Sequence, residues 1–129
     1  MDMRKNISSN APWEKQVGYS RAVRVGNVIE ISGTVSLNED GQMVGDNVYE
    51  QTVFILKKIE KVLEKAGATL KDVVRTRIYT TDISKWEDIG KAHGEFFKDI
   101  QPATSMVEVA NLIDKKFLVE IEATAIISI

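Results

Sequence analysis

The stretch Phe117-Leu118-Val119-Glu120-Ile121-Glu122-Ala123-Thr124-Ala125-Ile126-Ile127-Ser128-Ile129 decides the fold. Its side chains alternate with a period of two. Val119, Ile121, Ala123, Ala125 and Ile127 share one side; Leu118, Glu120, Glu122, Thr124 and Ile126 share the other. That alternation, rich in β-branched residues, predicts a strand inside a sheet. Its small and branched apolar face suits a sheet surface covered by helices. The opposite face carries two carboxylates two residues apart, which look toward solvent, a cleft or a subunit seam.

Upstream, Gly26-Asn27 between two strand-like runs, Val17–Gly26 and Val28–Ser32, reads as a hairpin turn. Gly33-Thr34 follows at once, and a glycine there marks a bend or a close approach to the backbone. Asn38 to Gly41 writes another turn. From Val48 to Ala66, Thr52, Leu56, Ile59, Leu63 and Ala66 recur at helical spacing, with Val53, Ile55 and Val62 widening the stripe, and Gly67 ends the helix. Asp72–Thr81 alternates as a strand, with Val74, Thr76, Ile78 and Thr80 on one side and Arg75, Arg77 and Tyr79 on the other. Ser84 and Glu87 have capping-box spacing for a second helix reaching about Asp99. Its stripe is Trp86, Ile89, His93, Phe96, Phe97 and Ile100, and His93, among apolar positions, reads first as a structural residue. Pro102 blocks that helix and leads into a strand over Ala103–Ala110. Residues 1–16 read as largely irregular, with turn formers including Asn10 and Pro12, and with Trp13 packed on the body or a neighbour.

The order is β-β-α-β-α-β-β. It predicts an α+β fold in one domain spanning 1–129, a single mixed sheet with two helices packed on one face. The bare face of such a sheet, to which Tyr19, Val25, Met106 and Leu118 are assigned, calls for an oligomer with a ligand crevice between subunits.

Apolar residues make up 43% and charged residues 28%, an ordinary soluble composition. The net charge of −2 disfavours a nucleic-acid surface. No run approaches the roughly 18 apolar residues that span a bilayer, and no signal peptide is seen, so the expectation is a cytoplasmic protein. There is no cysteine and one histidine, which makes a thiol nucleophile impossible and a zinc cluster improbable. Phosphate-loop, dinucleotide and nucleophile-elbow motifs are missing. The expected cofactor is none, leaving carboxylate, hydroxyl, arginine and backbone groups for any chemistry. Glu120 is the first acid–base candidate, because a carboxylate in a dry seam has a raised pKa. The competing reading pairs Glu120 and Glu122 with Arg75, Arg77, Arg21 or Arg24 as plain interface charges. Tyr19 and Ser32 offer hydroxyls, and the backbone at Gly33 and Thr34 offers N–H donors for an oxyanion.

Taken together, Gly18-Tyr19-Ser20-Arg21-Ala22-Val23, Val25-Gly26-Asn27-Val28, Ile31-Ser32-Gly33, Leu63 to Ala68, Asp72-Val73-Val74, Thr80-Thr81-Asp82, Pro102-Ala103, Val107-Glu108-Val109-Ala110 and Glu120-Ile121-Glu122-Ala123 resemble the Rid family, also called the YjgF/YER057c/UK114 family. The likeness covers about residues 10 to 127. It implies a chorismate-mutase-like fold, a homotrimer and three clefts between subunits, each taking a small-molecule ligand. The best-known branch hydrolyses reactive enamines and imines such as 2-aminoacrylate to 2-keto acids and ammonia without a cofactor. The resemblance carries its tyrosine, serine and glutamate onto Tyr19, Ser32 and Glu120.

One position departs from that pattern. The family's carboxylate-binding arginine follows Pro-Ala, where this chain has Thr104, and the usual cysteine nearby is Met106. Threonine supplies neither charge nor guanidinium fork, a loss of roughly 1.5–3 kcal/mol, or one to two orders of magnitude in substrate capture. Arg77 or Arg21 could compensate by reach. Three readings stay open: hydrolysis of a small imine or related carbonyl compound other than the usual one, a non-catalytic small-molecule binding or sensing module, and retained 2-iminobutanoate/2-iminopropanoate deaminase activity through a relocated arginine.

Overall fold

In a computed structural model of the chain, residues 3–9 and 11–128 are described. Asn10, expected in irregular chain, and Ile129, the end of the opening stretch, lie outside them. The strand expected at the C-terminus forms as Val119–Ile126 (β6). Val119, Ile121, Ala123 and Ala125 are all at most 1% exposed, so the period-two reading of this segment holds. Ile127 follows the strand and packs only partly against the core.

Six strands make one sheet: Arg4–Ile7 (β1), Ala22–Val25 (β2), Val28–Thr34 (β3), Val73–Thr80 (β4), Ala103–Glu108 (β5) and β6. Their order is β1-β2-β3-β6-β4-β5. All pairs are antiparallel except β4 with β5. Two long helices, Val48–Lys65 (α2) and Trp86–Phe97 (α3), cover one face. Ile55, Leu56, Ile59 and Leu63 of α2 and Ile89 and Phe97 of α3 join the inward residues of β6 in one core. Gln51, also buried, donates to the Lys116 carbonyl and accepts from Leu118 N–H, fastening the start of β6 to α2. Ile121→Ala is expected to destabilise the protein by about 2–5 kcal/mol through the cavity it leaves. Denaturant unfolding at fixed protein concentration measures this.

Several expectations are corrected. The N-terminal segment is not mostly irregular. It supplies edge strand β1 and a short helix, Pro12–Val17 (α1), which carries Trp13, half-buried. Pro12 presets the first turn of α1, and Gly18, at φ +89, caps it in a conformation that favours glycine. Val17 therefore belongs to a helix, and the first hairpin strand is only Ala22–Val25, turning through Gly26 at φ +60.

The expected capping box at Ser84 is absent. Asp82 caps a 3-10 turn over Ile83–Lys85 instead, and Ser84 donates its hydroxyl to that aspartate. Such a box forms at Thr69 and Asp72. Trp86, assigned to the apolar stripe, is the first residue of α3 and is 55% exposed. In β4 a register irregularity between Val73 and Arg75 turns Val73 into the core and Val74 outward. From Thr76 onward the expected parity stands, with Thr76, Ile78 and Thr80 buried.

Candidate functional site

Because Val119 and Ile121 point into the helices, Glu120 points to the sheet face that no helix covers. Its antiparallel partner is Tyr79, and Glu122 faces Arg77. The two carboxylates have different fates. Glu122 accepts from the Tyr79 hydroxyl at 2.9 Å and lies 3.8 Å from Arg77 Nε. The hydrogen bond to Glu122 raises the Tyr79 phenol above its ordinary value. Arg77, expected to bind substrate, is thus turned toward Glu122. Arg75 donates to Ser105 Oγ across the β4–β5 pair. The expected pairing of a carboxylate with Arg77 is thus made by Glu122.

Glu120 differs. Among the described residues its carboxylate has no hydrogen-bonding or ion-pairing side chain. Burial pushes its pKa up; the nearby Arg21 guanidinium opposes that rise, and Glu122 adds to it. The seat for this carboxylate is a bulge in β3. Ile31 pairs with Ala123 and Thr34 with Ile121, so β3 holds one more residue than β6 in the interval. Gly33 lies in that bulge, and a Cβ there would come 2.5 Å from Glu120 Oε2 and 3.0 Å from its Cδ. Only glycine leaves room for the carboxylate. Gly33 has no positive φ, so alanine fits its backbone, and the clash falls on the end of a movable side chain. Gly33→Ala is expected to cost at most about 1 kcal/mol of stability yet to displace Glu120. A ligand or activity loss of tenfold or more, with a nearly unchanged melting temperature, would be the sign.

Arg21 completes the group. It is 5% exposed, donates from Nη2 to the Gly33 carbonyl at 2.6 Å, and its buried Nε has no partner. Its guanidinium carbon lies 5.8 Å from the centre of the Tyr19 ring. Ser32 donates its hydroxyl to the Ser20 carbonyl, so it meets a ligand through lone pairs. Thr34 is buried with its hydroxyl on the Ser32 carbonyl, bracing the backbone of the bulge. Tyr19, Arg21, Ser32, Gly33 and Glu120 are thus drawn together around the bulge. Sequence reasoning named Arg21 for its reach and as one possible partner of the carboxylates, not as part of the bulge; its place in the Gly18 to Val23 run was the available signal.

Thr104 and Met106 do not join them within one protomer. They stand on edge strand β5, opposite Thr76 and Ile78, whose side chains point into the helix layer. Thr104 Oγ1 accepts from Thr76 Oγ1 at 2.7 Å, and Met106 packs against the core rather than on the bare face. A cavity of about 670 Å³ lies elsewhere, at the end of α2. Of its cations, Arg24 and Lys5 donate to the Ala66 and Lys65 carbonyls that end the helix, and Arg4 donates to Asn6 Oδ1. Among the described residues no group of three or more His, Cys, Asp or Glu side chains could hold a metal ion, and no helix is long and apolar enough to cross a membrane.

Residues 9–127, from the loop before α1 to the end of β6, match the sequence profile of the family Endoribonuclease L-PSP. The chain belongs to this family. A RutC family protein of Pyrococcus abyssi is 35% identical over 125 residues, covering 95% of this chain and 98% of the relative. The crystal structure of Rv2704 from Mycobacterium tuberculosis, a member of the YjgF/YER057c/UK114 family, superposes with a TM-score of 0.90 at 49% identity, over 97% of this chain and 100% of that one. The Escherichia coli YjgF gene product gives a TM-score of 0.79 at 29% identity, over 94% and 92%. The Endoribonuclease L-PSP family is thus the one the sequence resemblance named as Rid or YjgF/YER057c/UK114. Its fold, a mixed sheet with two main helices on one face, is the fold of this chain.

Proposed function

We propose that this protein is a cofactor-free hydrolase of a small imine, enamine or related carbonyl compound, working in a cleft between subunits of a homotrimer of single-domain chains. The observation that carries the reading is the Glu120 carboxylate, unpaired among the described residues, seated against Gly33 with its pKa raised by burial. A carboxylate whose pKa is raised is a stronger base than an exposed one, suited to take a proton and return it. Glu120 accepts a proton from water while the water oxygen bonds to the imine carbon, and passes that proton to the imine nitrogen. The resulting carbinolamine collapses: Glu120 takes the hydroxyl proton as the C–N bond breaks and hands it to the leaving nitrogen, so that a carbonyl and ammonia depart with the carboxylate restored. Tyr19 and Ser32 line the approach beside the bulge.

The chain is a branch of its family in which the substrate-binding arginine is Thr104. Separation of Thr104 from Glu120 onto opposite sheet faces supports the cleft being shared, one subunit giving Glu120 and its neighbour giving the β5 edge. Arg21, which shares Gly33 with Glu120, is the relocated cation that a carboxylate-bearing substrate would use. The uncharged Thr104 also favours a second reading, a metabolite-binding module using the same cleft without hydrolysis.

The test is 2-keto acid formation from imines generated in place by an amino-acid oxidase or dehydratase, with 2-aminoacrylate and longer homologues. A rate above background that Glu120→Ala abolishes supports the hydrolase. No rate on any imine, with retained ligand binding, leaves the binding module.

A further inference from the structure

The one histidine of the chain is connected to the edge strand. His93 Nε2 lies 2.9 Å from Thr76 Oγ1, and Thr76 Oγ1 donates to Thr104 Oγ1 at 2.7 Å. Thr76 is wholly buried, His93 is half-buried against Phe97, and Thr104 is exposed. Three side chains from α3, β4 and β5 thus form a row from the helix layer to the rim of the sheet.

Proton counting ties the direction of the row to the histidine tautomer. In the outward order the one hydroxyl proton of Thr76 goes to Thr104. Only a lone pair of Thr76 is then left for His93, so in that order Nε2 carries the imidazole proton. Thr104, having accepted, keeps its own proton to donate outward. Each bond polarises the next in such a chain. Burial lowers the His93 pKa, which favours the neutral ring that backs the row.

We propose that His93 is a positioning residue that acts through Thr76 to present the Thr104 hydroxyl as a hydrogen-bond donor to an oxygen acceptor, carbonyl or carboxylate, on the ligand. The proposal rests on the reading that the β5 edge lines the ligand cleft. It makes this position a neutral donor of fixed direction in place of a mobile charge.

Two measurements test it on the intact protein. The tautomer of the single imidazole is read from long-range proton–nitrogen correlations. The expected result is a protonated Nε2; a protonated Nδ1 with bare Nε2 would run the chain inward and overturn the proposal. Binding of 2-oxobutanoate is then titrated against wild type, Thr76→Val, His93→Leu and His93→Gln. Thr76→Val and His93→Leu are expected to weaken binding by about 3- to 10-fold, the span of one hydrogen bond. His93→Gln, whose amide N–H can replace Nε2–H, should recover most of the loss. Equal affinity in all variants, or no binding of this probe by wild type, overturns the proposal. Imine hydrolysis in the same samples separates the two ideas. Hydrolysis with variant-independent binding keeps the hydrolase and discards the chain. Variant-dependent binding without hydrolysis keeps the chain and discards the hydrolase.

Discussion

Glu120→Gln is expected to lower turnover of an imine substrate by about 10²- to 10⁴-fold while making the folded protein more stable at neutral pH. Glutamine keeps the shape of the side chain against Gly33 but cannot carry a proton back and forth. The stability gain follows from linkage. Burial raises the Glu120 pKa in the folded state. Between the ordinary carboxyl value and the raised one, the native protein therefore holds more protons than the unfolded chain. Stability is fully present below the ordinary Glu value of about 4.3 and falls as pH rises through the folded pKa. Glutamine, always neutral, escapes that fall. Denaturant curves near pH 4 should nearly coincide for the two proteins, and at pH 8 the variant should have the higher midpoint. Protein concentration is held fixed, because association contributes to apparent stability. A variant that retains full turnover would remove Glu120 from the chemistry.

Thr104→Arg is expected to tighten the capture of carboxylate-bearing ligands by about 10- to 100-fold, the worth of a charge-assisted, two-pronged contact. Thr104 is exposed on an edge strand, so the longer side chain has room, and the stability change should be the loss of its hydrogen bond from Thr76, about 0.5–1.5 kcal/mol. The readout is the KM for a 2-imino acid or the Kd for its keto acid, compared with the uncharged methyl ester. Affinity for the acid alone should rise, and the gain should shrink with added salt. Equal affinities in variant and wild type would mean that the β5 edge does not reach the ligand.

The strands and helices were legible where one physical signal dominated. In β6, five consecutive alternations left a single way to bury Val119, Ile121, Ala123 and Ala125. In α2, apolar spacing located the helix almost to its ends, with Gly67 at φ +88 closing it. Legibility failed where weak local signals competed. Ser84 and Glu87 have the spacing of a capping box, but Asp82 reached the turn first. The Pro12–Val17 helix is six residues long, too short for a periodic stripe to be seen.

The candidate site divides along the same line. Glu120 and Glu122 were indistinguishable as letters two residues apart on one face. Alternation along the chain determined that both carboxylates leave the core, because neighbours in a strand must point oppositely. Only the tertiary structure decided that Glu122 is held by Tyr79 and Arg77 while Glu120 rests on Gly33 beside Arg21. That outcome depends on the extra residue in β3 and on how it registers with a strand about ninety positions away,. Likewise, Pro102 and Ala103 marked Thr104 as a position of interest, but its link to His93 through Thr76 arises from helix packing and parallel pairing. Local periodicity records which way a side chain points; which partners it meets is set by long-range register, and no local pattern encodes that.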